Sequence, residues 1–93
     1  MLSTLENLFK LARERKVNPV DGSYTNKLLS DKLLSKSKVL EEINELIDAV
    51  DKDTNKIHEA ADVFYHLIIF LEAHNIKIED IEKELEKRKK SNE

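Results

Sequence analysis

Carboxylates recur in two short segments of this chain at a spacing suited to holding a cation. The first segment is Lys38-Val39-Leu40-Glu41-Glu42-Ile43-Asn44-Glu45 and the second is Glu59-Ala60-Ala61-Asp62. Glu42 and Glu45 are three residues apart, as are Glu59 and Asp62. On an α-helix that spacing stacks the two side chains one turn apart on one face. Carboxylate oxygens are the ligands that suit hard divalent cations such as Mg²⁺ or Mn²⁺. The polar stretch Asp51-Lys52-Asp53-Thr54-Asn55 between the segments is short, and short connections make antiparallel helical neighbours. The four carboxylates then meet near the connection. Without a cation, such crowding costs repulsion and desolvation. The competing reading is a solvated acidic face. Asp62 weighs against it, because the bulky run Val63–Leu71 starts directly after it, where an unpaired carboxylate is a poor choice.

Other polar residues sit beside this set. Lys38 precedes Glu42 by one turn, so it can pair with that carboxylate or reach a phosphate next to the metal. His66 follows Asp62 by four residues and Glu59 by seven on the same face. It reads as a metal ligand, as a partner orienting Asp62, or as a core histidine bonded to a carboxylate, the last being preferred over direct ligation. His58 and His74 fall near helix ends on other faces, and the sequence assigns them no chemistry. Asp48 and Asp51 lie off the Glu42/Glu45 stripe and read as surface.

The elements that position these groups are helical. Leu5, Leu8, Phe9 and Ala12 give a first helix from Leu2 to about Lys16, ending in Arg13, Arg15 and Lys16, a basic last turn that suits the helix dipole. Asn18-Pro19-Val20-Asp21-Gly22 holds the only Pro and the only Gly and is a loop. Ser23 or Thr25 caps a short helix through Leu28, Leu29, Leu33 and Leu34 that bends near 30–35, and Ser35 or Ser37 starts the next, to about Val50. On that helix Val39, Leu40, Ile43, Leu46, Ile47 and Val50 share one broad apolar side, expected to face the core. Asp53 or Thr54 caps a helix over about 55–74. After Asp62 it is apolar on nearly every side, which predicts burial all round. Asn75 ends it, and a last helix from about Glu79 turns Ile81 and Leu85 inward.

With 93 residues, one Gly, one Pro and 38% charged residues, the chain reads as one domain over 1–93, all-α, a bundle of four to five helices. Alone it buries only about 60% of its unfolded surface. So short a bundle can hardly cover the apolar helix, and a homodimer centred on that helix is expected to complete the core. A net charge of −3 lacks the basic excess that points to nucleic acid. No stretch approaches the roughly 20 apolar residues of a membrane span, and no secretory leader is seen at the start. The absence of cysteine agrees with a reducing compartment, so a cytoplasmic protein is expected.

Three segments carry a further signal in this order: Ser23-Tyr24-Thr25, then Lys38-x-x-Glu41-Glu42-x-x-Glu45, then Glu59-Ala60-Ala61-Asp62-Val63-Phe64-Tyr65-His66-Leu67. On them the chain resembles the phosphoribosyl-ATP pyrophosphatases of histidine biosynthesis, within the MazG-like all-α nucleotide pyrophosphohydrolases. The resemblance implies a MazG-like bundle and Mg²⁺-dependent hydrolysis of phosphoribosyl-ATP to phosphoribosyl-AMP and pyrophosphate. It implies Glu42, Glu45, Glu59 and Asp62 as metal ligands and Glu41, Glu42 and Glu45 as catalytic carboxylates. Ser23, Tyr24, Thr25 and Lys38 would contact substrate, with Arg13 and Lys16 as further candidates for its phosphates. The family often has Gly before the Glu pair and Ala after it, where this chain has Leu40 and Ile43. Two other readings use the same residues: a general nucleoside triphosphate pyrophosphohydrolase, and a non-catalytic helical dimerisation module.

Overall fold

The computed structural model describes residues 3–92; Leu2, expected to start the first helix, lies outside them, as do Met1 and Glu93. Among the described residues there are five helices and no strand: α1 (Ser3–Val17), α2 (Tyr24–Ser30), α3 (Lys32–Lys52), α4 (Lys56–Ala73) and α5 (Ile78–Asn92). The expected all-α class is realised, and local chemistry explains most of the boundaries. The loop after α1 reverses at Gly22, whose φ is 79°, a conformation that glycine adopts at no steric cost. Asn26 pins this loop, donating from Nδ2 to the Arg15 carbonyl (2.8 Å) and accepting from the Val20 N–H (2.9 Å).

One residue, Asp31, makes the bend between α2 and α3. Its N–H closes α2 on the Lys27 carbonyl, and its carboxylate accepts from the Leu34 N–H at 3.0 Å. Because Asp31 can do both in an extended conformation, α3 begins at Lys32 and not at Ser35 or Ser37. Asp53 likewise ends α3 in the left-handed region (φ 56°) and does not cap α4, which starts after Asn55 without a side-chain cap bond. Asn75 (φ 59°) ends the α4 region as expected.

α3 and α4 form the most extensive helix pair, with α1 and α2 packed on α4. Ala12, Leu28 and Ile69 are fully buried, and Leu29, Leu34 and Tyr65 pack around them. The apolar side of α3 departs from expectation. That helix buries Ser35, Glu42 and Ala49, while Leu40, Ile43, Ile47 and Val50 are exposed. α4 leaves Ile57, Phe64 and Leu67 open on its outer side, so it too is not buried all round in the single chain. Leu85 of α5 is exposed, not inward, whereas Ile81 is half-buried. The reason is steric: small Ser35 and Ala49, with Glu42 between them, form the buried line of α3, which turns the bulky stripe outward.

Candidate active site

Glu42 is the centre of the site because α3 presents it to α4. It is 6% exposed, and among the described residues its Oε2 has no hydrogen-bond partner. Burial pushes its carboxyl above the usual carboxylate range, and neighbouring Glu45 pushes it the same way. Asp62 and His66, on α4, also act on its charge, so the two helices do bring their acidic segments together. Oxygens of Glu41, Glu42 and Glu45 converge within 4.8 Å of one another. On α4, His58, Glu59 and Asp62 form a second such group with the same limit. Glu59 Oε2 is buried and lacks a partner as well. All four sequence-predicted metal ligands therefore lie in two facing groups.

His58 is the residue that the sequence reading missed. It is exposed, but its Nε2 lies 3.4 Å from Asp62 Oδ2, at the i,i+4 spacing that places two side chains on one helix face. That spacing was the available signal. His66 is buried with both ring nitrogens engaged, Nδ1 at 2.8 Å from the Asp62 backbone carbonyl and Nε2 at 3.0 Å from the Tyr24 hydroxyl. A carbonyl only accepts, so Nδ1 carries the proton and Nε2 accepts from Tyr24. This leaves no lone pair for a metal. His66 thus supports Asp62 through the backbone and not through the carboxylate.

The Ser-Tyr-Thr segment docks on the Tyr65-His66 pair. Tyr24 stacks on Tyr65 (ring centroids 6.3 Å) and meets His66 edge-on (5.8 Å). Thr25 is buried with its hydroxyl on the Tyr65 hydroxyl, so it fixes the segment against α4 and presents nothing outward. Ser23 caps α2 through the Asn26 N–H (3.2 Å) and accepts from Arg15 Nη1 (2.8 Å). Tyr24 keeps an exposed ring, and partial burial raises its hydroxyl pKa. Lys38 donates to Glu41 Oε2 (3.1 Å) and lies 3.7 Å from Glu42 Oε1. Its bond to Glu41 raises its pKa and keeps it charged.

The two other basic candidates separate. Arg13 spends Nε on Glu72 (2.9 Å) and Nη1 and Nη2 on Glu79 (2.8 and 2.6 Å). It ties α1 to α4 and α5, so within the chain its guanidinium is already engaged by two carboxylates. Lys16 donates to the Glu72 carbonyl and to Asn75 Oδ1, yet still borders a cleft beside Arg15. The arrangement can hold one or two hard cations between α3 and α4 with a lysine and a tyrosine at the rim, and it can receive a polyphosphate.

Comparison with known proteins points the same way. Residues 2–89 match the family described as phosphoribosyl-ATP pyrophosphohydrolase. A phosphoribosyl-ATP pyrophosphatase of Clostridium acetobutylicum is 50% identical over 90 residues, covering 90% of this chain and 79% of that protein. One from Bacillus cytotoxicus is 41% identical over 93 residues, 95% of this chain and 85% of that protein. The histidine biosynthesis bifunctional protein HisIE of Caldanaerobacter subterraneus is 40% identical over 94 residues, which cover 96% of this chain and 45% of that longer protein. With the carboxylate groups of α3 and α4 in place and a match across nearly its whole length, the chain belongs to the phosphoribosyl-ATP pyrophosphohydrolase family.

Proposed function

We propose that this protein hydrolyses phosphoribosyl-ATP to phosphoribosyl-AMP and pyrophosphate, a step of histidine biosynthesis, at a Mg²⁺-dependent centre between α3 and α4. The observation that carries the reading is the pair of buried oxygens without partners, Glu42 Oε2 and Glu59 Oε2, on facing helices. Leaving such groups unsatisfied costs about 1–3 kcal/mol each, more when charged, and a cation removes that cost. Glu42, Glu45, Glu59 and Asp62 would hold it, with Mn²⁺ an acceptable substitute for Mg²⁺. Bound there, the cation supplies charge neutralisation of the triphosphate and of the leaving pyrophosphate.

The chain's own groups do the rest. Lys38 turns from Glu41 to a phosphate oxygen. Water adds across the α–β phosphoanhydride, its oxygen bonding to phosphorus as the bridging P–O bond breaks. Its proton passes to Glu41, the exposed carboxylate beside Lys38, and pyrophosphate leaves. Tyr24 and His66 hold the rim in place. The test is pyrophosphate release from phosphoribosyl-ATP with and without Mg²⁺. Release that requires the metal supports the reading; no release, or equal release after chelation, overturns it. Nucleoside triphosphates turned over as well as phosphoribosyl-ATP would shift the assignment to a general pyrophosphohydrolase.

The working unit of this reading is a homodimer. Leu40, Ile43, Ile47 and Phe64 are exposed and none carries a charge. The chain's surface is 7001 Å², against about 5,500 Å² for a folded monomer of its mass. Its radius of gyration is 14.7 Å, against about 12 Å for a compact chain of this length. A second copy seated on this face covers the excess. Sedimentation equilibrium should give about twice the 10.8 kDa chain mass. Ile47→Asp should weaken association by about thirtyfold or more. A wild-type monomer at micromolar concentration would defeat the dimer. Among the described residues no helix is long and apolar enough to cross a membrane, and cytoplasmic action fits the pathway.

A further inference from the structure

Tyr24 also lines a cleft of about 830 Å³ that includes none of Glu41, Glu42, Glu45, Glu59 or Asp62 in its walls. The end of α1, the 18–23 loop, α2 and the end of α4 enclose it, and Arg15, Lys16 and Lys27 border it with a single acid, Asp21. Its walls are built structure: Asn26 ties the loop to α1, and the Ser23 hydroxyl holds Arg15 Nη1. Among the described residues, no carboxylate lies within ion-pairing distance of Arg15 or Lys27. The other arginines, Arg13 and Arg88, both have such a partner. Cations left unpaired around one concave site attract an anion, and an arginine suits a phosphate in particular.

Tyr24 is the shared wall. It borders this cleft, while its hydroxyl reaches His66, directly behind Asp62. The span between the two sites follows from α4 itself. Asp62 and Ala73, which borders the cleft, are eleven residues apart, or roughly 16 Å along the helix. The substrate of the proposed reaction has two separate anionic poles. One is the triphosphate, which the acidic seam takes with its cation. The other is the phosphate monoester on the added ribose, which needs cations without a metal.

We propose that this cleft is the subsite for that phosphate monoester, with Arg15 and Lys27 as its main donors and Lys16 beside them. The inference rests on the hydrolase reading above. It assigns the selection of substrate over ordinary nucleoside triphosphates to residues of α1 and α2, far from the reacting bond.

The test compares pyrophosphate release from phosphoribosyl-ATP and from its analogue lacking the ribose 5-phosphate group, in wild type, Lys27→Gln and Arg15→Gln/Lys27→Gln. The wild-type enzyme should favour the phosphorylated substrate in kcat/KM. Each substitution should reduce that preference by about tenfold, mainly through KM. Among the described residues the exposed Lys27 side chain makes no ion pair, so its variant should fold normally, with circular dichroism matching wild type. A fall that is equal on both substrates, or no fall, overturns the subsite. A separate readout uses ribose 5-phosphate alone as the calorimetric probe. It should bind wild type and lose measurable binding in the double variant. No binding to wild type overturns the subsite even if the enzyme turns over. Binding without any pyrophosphate release supports the cleft while the hydrolase reading fails.

Discussion

α4 meets a buried carboxylate region at each end, and the chain treats the two in opposite ways. Near its C-terminus Glu72 is 2% exposed, and Arg13 at 2.9 Å and Lys16 at 3.5 Å surround it. Near its N-terminus it carries Glu59, and among the described residues Glu59 and Glu42 of the neighbouring α3 each keep a buried oxygen without a partner. Burying a carboxylate is costly in both places. At the first, the sequence provides two cations and the charge is satisfied within the fold. At the second, Lys38 lies 3.7 Å from the other oxygen of Glu42 and the His58 ring 3.4 Å from Asp62, among five acids. A region finished by its own cations is architecture. A region of the same chemistry left open is where the proposed cation would sit.

The comparison is broken most directly at Glu42. Glu42→Gln should lower pyrophosphate release by at least about a hundredfold, since cation stabilisation of a phosphoryl transition state is worth several kcal/mol. Metal-free, the same variant should be no less stable than wild type, because an uncompensated buried charge is gone. Mg²⁺ at a hundred times its Kd should stabilise wild type by about 2.7 kcal/mol, read as a rise in Tm, and should leave Glu42→Gln nearly unmoved. A variant that keeps the full Mg²⁺ shift would remove the distinction between the two ends of α4.

The opposite end should respond in reverse. Glu72→Gln removes the shared negative charge but leaves Arg13 its bonds to Glu79 and Lys16 its bonds to the residue-72 carbonyl and Asn75, and both side chains, 35% and 30% exposed, regain part of their hydration. The expected loss is about 1–2 kcal/mol, or a fall in Tm of about 4–8 °C per kcal/mol. Turnover measured well below that Tm should stay within about twofold of wild type, and the Mg²⁺-induced rise in Tm should persist. Lost turnover in a fully folded Glu72→Gln protein would make the C-terminal region chemical too.

Which parts of this contrast were legible in the sequence depends on period and on partners. Spacing placed Glu42 with Glu45 and Glu59 with Asp62, and it chose Glu42 as the carboxylate in register, which the structure makes the buried one. The same periodicity misjudged the neighbouring stripe. Leu40, Ile43 and Ile47 are apolar and regularly spaced, so they read as core; a single sequence does not say whether an apolar face meets its own chain or another copy. Asp31 was hidden because its two capping roles need a backbone path that only the packing of α2 and α3 sets. The structural pairing of Arg13 was hidden because its partners Glu72 and Glu79 are 59 and 66 residues away. His58 was legible from its i,i+4 spacing to Asp62.

Glu79 offers the gentlest test, because it shares Arg13 with Glu72 but stands in solvent. Hydrogen bonds from Arg13 hold its carboxyl down to about 2. A carboxyl whose pKa is lower in the folded chain stabilises the fold above its unfolded pKa, and that contribution fades as pH falls through the folded value. The gap in Tm between wild type and Glu79→Gln should therefore be present near neutral pH, shrink from about pH 5 downward and vanish near pH 2. Because the pair is exposed, about 1 M salt should also shrink the gap at neutral pH, whereas the deficit of Glu72→Gln should survive the same salt. A gap for Glu79→Gln that ignores both pH and salt would mean that its side chain acts by packing. Arg13 would then owe its position to Glu72 alone, and the satisfied end of α4 would rest on one buried carboxylate and its two cations.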